Sequence, residues 1–219
     1  MIGETGWIPL LGVLAAYLLG AVPFGLLVAR LMGGGDIRQQ GSGNIGATNV
    51  LRTTGRLAGA IALLLDMLKG FVPILLARLW LGTEHPLTGG LALALFFGHL
   101  YPVYLAFKGG KGVATALGIY LAWTPVAGLC ALLTWVVAAL LWRISSLAAL
   151  LAFALLPGFL FFQESRMAMA TALFLIPWIF WRHRANIQRL ILGTEPRIGR
   201  PPLRHGDAPS PSSPSSGES

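Results

Sequence analysis

The chain has 219 residues, of which 55% are hydrophobic and only 11% charged, with a formal net charge of +8. Ordinary soluble domains carry about 25% charged residues, and no soluble fold covers so much apolar surface. The composition therefore excludes a soluble globular protein and points to one compact, all-α integral membrane protein.

Met1–Gly6 has no positively charged stretch and carries Glu4, so the apolar run Trp7–Leu31 reads as a retained membrane helix and not as a cleaved signal peptide. A spanning helix needs about 20 apolar residues. Leu57–Leu81 is the second such run, interrupted by Asp66, Lys69 and Arg78, and Pro86–Phe107 is the third. Gly112–Trp142 carries no charge and breaks at Thr124-Pro125. Its length, about 46 Å as helix, exceeds a hydrocarbon core of about 30 Å. It reads as two short helices meeting at Pro125, with a re-entrant pair as the alternative. Ile144–Phe162 and Met167–Trp181 follow, which makes seven segments, or five full crossings if the broken pair does not cross. Cys130, the single cysteine, excludes an intramolecular disulfide and a Cys-rich zinc site, and in its apolar run it reads as a small buried hydrophobe.

Either count is odd, so the termini lie on opposite sides. With the N-terminus outside, Arg30, Arg38, Arg52, Arg56, Lys108, Lys111, Arg143, Arg182, Arg184, Arg189, Arg197, Arg200 and Arg204 fall on the cytoplasmic face, against Arg78 and Arg166 outside. This asymmetry accounts for the basic balance without nucleic acid. Residues 1–200 read as a single transmembrane domain, and the Pro/Ser-rich residues 201–219 as a disordered cytoplasmic tail. No internal repeat supports a transporter built from inverted halves.

Three polar stretches interrupt the apolar pattern: Gly41–Arg52, Phe107–Thr115 and His183–Glu195. The first contains Gly41-x-Gly43-x-x-Gly46, but a membrane helix and a loop precede it, not the strand that a dinucleotide site requires. The second contains Gly110-Lys111, but no glycine stands five positions before Gly110, and Gly112 stands where a P-loop needs Ser or Thr. Anion binding survives both rejections. Glycine-rich backbone offers bare N–H groups that can form an anion nest. Lys111 stands at the start of the next helix, where free N–H groups favour phosphate. Arg52 can clamp phosphate oxygens in bidentate fashion, Lys111 adds a point charge and Ser42 a hydroxyl. The bland alternative is a pair of tight turns whose cations only mark the cytoplasmic face.

In the third stretch His183 and Asn186 share a face if the last helix continues, although a basic flank after a span has the same look. Ser145 and Ser146 open the sixth segment, where helix capping is the simpler role. His99 is an intramembrane ionisable residue and so a functional suspect, with a hydrogen bond inside the bundle as the commoner explanation. Asp66 and Lys69, three apart, suit a structural ion pair.

Taken together, these stretches resemble the three motifs of the bacterial acyl-phosphate:glycerol-3-phosphate acyltransferase family of the PlsY type. The first motif runs Gly41-Ser-Gly-Asn-x-Gly-Ala-Thr-Asn-x-x-Arg52. The second runs from Gly98-His-x-x-Pro102 through Phe107-Lys-Gly-Gly-Lys111-Gly-Val-Ala-Thr115. The third is His183-x-x-Asn186-Ile-x-Arg-Leu-x-x-Gly193-x-Glu195. The resemblance covers about Leu10 to Arg197. It implies a seven-helix bacterial inner-membrane enzyme whose active site faces the cytoplasm. Such an enzyme moves a fatty acyl group from long-chain acyl-phosphate to the 1-hydroxyl of sn-glycerol 3-phosphate, without cofactor or metal, in the first acylation of phospholipid synthesis.

Carried over by motif position, Ser42, Arg52 and Lys111 clamp the glycerol phosphate. His183 and Asn186 orient its hydroxyls, with Ser145 or Ser146 nearby. Gly43, Asn44, Thr48, Asn49, Gly109 and Gly110 receive the acyl-phosphate head, and Glu195 supports the third motif. The His-x-x-x-x-Asp signature of acyl-CoA-using acyltransferases is absent, since Tyr104 and Gln188 stand five residues after His99 and His183. The rival classes are a small anion transporter and a lipid-binding subunit without chemistry.

Overall fold

The computed structural model describes residues 6–199. The expected tail, 201–219, lies outside the described residues, as do Arg200 and Arg204 of the charge count. Among the described residues the chain forms ten α-helices, α1 (Trp7–Ala21), α2 (Phe24–Leu31), α3 (Ala47–Thr53), α4 (Arg56–Leu81), α5 (Pro86–Leu100), α6 (Val113–Trp123), α7 (Pro125–Trp142), α8 (Ser145–Phe161), α9 (Arg166–Arg182) and α10 (Arg184–Ile191). Short 3₁₀ turns stand at Ile37–Gln39 and Val103–Leu105.

Four stretches are long and apolar enough to cross a membrane: Trp7–Leu31, Arg56–Leu81, Pro86–Leu105 and Pro125–Trp142. Val113–Trp123 and Ser145–Phe161 are apolar but shorter. The first expected span is broken at Val22-Pro23, because proline lacks the N–H that a continuing helix needs. Gly112–Trp142 divides as expected, with α6 ending at Trp123 and Pro125 opening α7. Cys130 is half-buried on α7, not fully enclosed.

Large apolar side chains cover the outside of the bundle. Leu10, Trp80 and Leu140 are 69%, 85% and 73% exposed, a surface that suits lipid. Inside, the helices approach through small residues. A Cβ on Gly98 would overlap the Tyr17 carbonyl, bringing α5 hard against α1. One on Gly118 would overlap the Met67 carbonyl, and one on Gly70 the Thr115 carbonyl, so α4 and α6 touch backbone to backbone. Lipid tails are as apolar as leucine, so close van der Waals packing of this kind has to hold membrane helices together.

Polar contacts fasten one end of the bundle. Trp123 Nε1 donates to the Thr83 carbonyl at 2.8 Å, and Glu84 accepts from the Ser165 hydroxyl at 2.6 Å and the Met167 N–H at 3.0 Å. The three polar stretches meet at the other end.

Candidate active site

Gly41–Arg52 was expected as a polar, glycine-rich stretch. Its second half is helical, because Ala47–Thr53 winds into α3. The loop before it is held by its own asparagines. Asn49 is 2% exposed, and its side-chain oxygen accepts from the Ser42 N–H at 2.9 Å. Its amide nitrogen donates to the Ile37 and Gln40 carbonyls at 2.9 and 3.1 Å. Asn44 accepts from the Gly46 N–H at 2.8 Å, and the Gly43 N–H donates to the Gln40 carbonyl at 3.0 Å. The expected bare N–H groups at Ser42, Gly43 and Gly46 are thus already satisfied. Both amide hydrogens of Asn49 and one lone pair of its Oδ1 are spent on the loop.

The second stretch folds tightly onto the end of α5. A Cβ on Gly109 would overlap the His99 carbonyl and Pro102, and one on Gly110 the His99 ring. The Gly110 N–H donates to the His99 carbonyl at 3.1 Å. Gly109 and Gly110 therefore serve close packing, and the Gly110 N–H is not free for an anion. Gly112 adopts a left-handed conformation at φ 82° and leads into α6, whose first turn has no side-chain cap. Lys111 stands immediately before it.

α9 ends at Arg182, and His183 forms the joint with α10. The bundle brings these pieces around one cavity of about 770 Å³. Ser42, Asn44, Thr48, Asn49 and Arg52 line one part of it, Lys111 with the start of α6 another, and Ser145, Ser146, His183 and Asn186 the rest. Gly43, Gly109 and Gly110 are not among its lining residues.

Glu195 is the hub of the third stretch. Its Oε1 accepts from the Ser146 hydroxyl at 2.7 Å and from the Asn186 amide, and its Oε2 pairs with Arg189 Nε at 2.7 Å. Burial alone would raise the Glu195 carboxyl, but these three donors outweigh it and hold its pKa below the ordinary value. Ser146 thus serves the site and does not cap α8, whose N-terminus has no side-chain cap. Asn186 in turn accepts from the Lys111 ammonium. Arg52 donates to the Pro196 carbonyl at 3.2 Å, so the first stretch also meets the residue after Glu195.

Burial lowers the Lys111 pKa to about 8, with Arg189, Arg52 and Arg182 reinforcing the shift and Glu195 opposing it. Burial likewise lowers His183 to about 4, with Lys111 adding to the effect. Its Nδ1 bonds to the Ile179 carbonyl at 2.8 Å, which makes Nδ1 the protonated nitrogen of the neutral ring and leaves Nε2 as an acceptor.

Beneath this polar rim lies a fully buried cluster. Lys69 Nζ stands 2.7 Å from Asp66 and 2.9 Å from His99 Nδ1, and also donates to the Val22 carbonyl at 2.9 Å. The Asp66–Lys69 pair expected from spacing is present, and His99 has its hydrogen bond inside the bundle. Sequence reasoning did not place Asp66 and His99 on the cavity wall, where both lie. It also gave no role there to Arg182, Arg189 and Pro196; Arg189 stood in the third motif, and the other two had only charge or position beside the third stretch as a signal.

The fold and the site define a class: an all-helical integral membrane protein in which helix ends enclose a deep cavity lined by four cations, Arg52, Lys111, Arg182 and Arg189. Comparison with known proteins narrows the class. Residues 10–193 match the model of the glycerol-3-phosphate acyltransferase family, and the chain belongs to that family. It is 51% identical over 189 residues to a glycerol-3-phosphate acyltransferase of Halorhodospira halophila, covering 85% of this chain and 95% of that one. It is 53% identical to one from Thioalkalivibrio sulfidiphilus, covering 85% and 92%. Among solved structures it resembles PlsY, an integral membrane glycerol 3-phosphate acyltransferase, in its glycerol 3-phosphate form. That match has a TM-score of 0.83 and 43% identity, over 87% of this chain and 96% of the other. The lysophosphatidic acid form matches with a TM-score of 0.81.

Proposed function

We propose that this protein transfers a fatty acyl group from acyl-phosphate to the 1-hydroxyl of sn-glycerol 3-phosphate, producing lysophosphatidic acid and inorganic phosphate. The observation that carries the reading is the convergence of Ser42, Arg52, Lys111, His183 and Asn186 on one cavity. Arg52 and Lys111 grip the phosphate of glycerol 3-phosphate, with Ser42 donating its hydroxyl. Asn186 and His183 Nε2 orient the glycerol hydroxyls. Asn44, Thr48 and the start of α6 face the acyl-phosphate head.

Acyl-phosphate is a mixed anhydride. The 1-hydroxyl oxygen bonds to the acyl carbon, the bond from that carbon to the phosphate oxygen breaks, and phosphate departs with the electron pair. The hydroxyl proton passes to a phosphate oxygen, either directly or through His183 Nε2. Because phosphate leaves readily, orientation and charge stabilisation supply most of the acceleration.

In the membrane, seven segments lie between an outside N-terminus and a cytoplasmic C-terminus, with residues 1–200 as one unit and 201–219 as a tail. The excess of basic residues on the loops around the cavity supports this orientation and a cytoplasmic opening in a bacterial inner membrane. The test is the purified protein in a lipidic medium with acyl-phosphate and glycerol 3-phosphate, where phosphate and lysophosphatidic acid should appear together. A folded protein giving neither product would sink the reading. A cysteine placed at Gly34 should react with a labelling reagent from the cytoplasmic side only.

A further inference from the structure

Arg182 was counted in the sequence only as one more cytoplasmic charge. In the structure it is the last residue of α9, directly before His183, and it lies on the cavity wall. Its Nε donates to the Gly110 carbonyl at 3.0 Å, and its Nη2 to the Gly109 carbonyl at 2.6 Å. One edge of one planar guanidinium therefore holds two consecutive carbonyls.

Both sides of this contact are fixed independently. The glycine turn cannot shift toward α5, because the His99 carbonyl, the His99 ring and Pro102 already fill the space where side chains would stand. The guanidinium lies over the Tyr101 ring at 5.9 Å. That ring stacks on Phe97 and meets Trp178 edge-on, while the Tyr101 carbonyl accepts from the Tyr17 hydroxyl at 2.6 Å. Lys111 follows Gly110 directly, and its ammonium bonds to Asn186, four residues beyond Arg182. The turn that launches Lys111 is thus tied to the segment that receives it.

We infer that Arg182 is the positioning residue for Lys111: its guanidinium fork fixes the Gly109-Gly110 turn and so sets where the Lys111 ammonium stands in the cavity. The functional readout rests on the acyl-transfer reading above. The role needs the fork and not merely the charge. Lysine carries one compact ammonium and cannot hold both carbonyls with the same planar geometry.

The experiment compares wild-type protein with Arg182→Lys and Arg182→Gln in the acyltransferase assay. Both variants are expected to raise KM for glycerol 3-phosphate on the order of tenfold, with a smaller change in KM for acyl-phosphate and kcat within a few-fold. The pH profile supplies a readout that simple loosening of the fold would not move. The charged and titratable groups around Lys111 are Glu195, Arg189, Arg52, Arg182 and His183. Arg182 helps keep the ammonium acidic, so removing its charge should move the alkaline limb of kcat/KM for glycerol 3-phosphate upward in R182Q. R182K keeps the charge and should leave the limb in place.

A KM for glycerol 3-phosphate within twofold of wild type in R182K, or an unmoved limb in R182Q, overturns the inference. If R182Q does not fold, the KM of R182K decides alone. An inactive wild type would count against the proposed reaction; an active wild type with unaffected variants counts against the role of Arg182.

Discussion

The Ser146 hydroxyl donates to Glu195 Oε1 at 2.7 Å across 49 residues of chain, joining the start of α8 to the segment after α10. The same carboxylate holds Asn186 and Arg189, and Asn186 holds Lys111. One buried acid thereby sets the positions of residues on α8 and α10 and, through Asn186, of Lys111 before α6.

Removing that acid should cost more than removing any one of its donors. Glu195→Ala leaves three donors without their acceptor and should destabilise the protein by about 2–4 kcal/mol, while Ser146→Ala should cost about 1 kcal/mol. Thermal unfolding in detergent measures both. Equal midpoints for the two variants would contradict the hub.

Arg52 faces Pro196 with one nitrogen, and the proposed clamp uses its fork on phosphate. Arg52→Lys keeps the charge but loses the bidentate geometry. Loss of one charge-assisted hydrogen bond, about 1.5–3 kcal/mol, should lower kcat/KM for glycerol 3-phosphate roughly ten- to hundredfold. Turnover like the wild type would remove Arg52 from the clamp.

The Lys111 pKa, lowered to about 8, gives the activity a sign in pH. In the proposed clamp the ammonium holds phosphate below that value, and the charge is lost as pH rises through it. The kcat/KM for glycerol 3-phosphate should therefore fall on the alkaline side with a midpoint near pH 8. Glu195 opposes the shift, so Glu195→Gln should move the midpoint lower. A flat profile to pH 10 would show that Lys111 charge is not used.

Asp66 and Lys69 form a pair whose side chains are 2% and 1% exposed. Deleting one partner strands the other charge inside the bundle, so Asp66→Asn or Lys69→Met alone should each cost about 3–5 kcal/mol. The double variant should cost less than the sum of the two. Strict additivity in the unfolding midpoints would mean that the two charges do not compensate each other.

Several features were legible because they depend on residues near one another in the chain. Hydropathy located the four stretches long and apolar enough to cross a membrane, and Thr124-Pro125 located the break between α6 and α7. Three-residue spacing was enough to pair Asp66 with Lys69. Motif order picked out Ser42, Arg52, Lys111, His183 and Asn186, which line the cavity, but also Gly43, Gly109 and Gly110, which do not. The fate of individual backbone groups was not legible. Nothing local says that the Asn49 side chain satisfies the Ser42 N–H, or that the His99 carbonyl occupies the Gly110 N–H.

The sequence by itself determined the kind of protein: an apolar helical chain with cations and glycines concentrated in three polar stretches. That follows from local physical chemistry, since the lengths of apolar runs and the placement of charge depend on neighbouring residues. Only the tertiary structure decided which stretch holds which. Lys111 meets Asn186 75 positions along the chain, and Arg182 reaches the Gly109 carbonyl 73 positions back. Those encounters depend on how closely the helices approach, and small residues such as Gly70, Gly98 and Gly118 permit that approach by presenting no side chain at the contact.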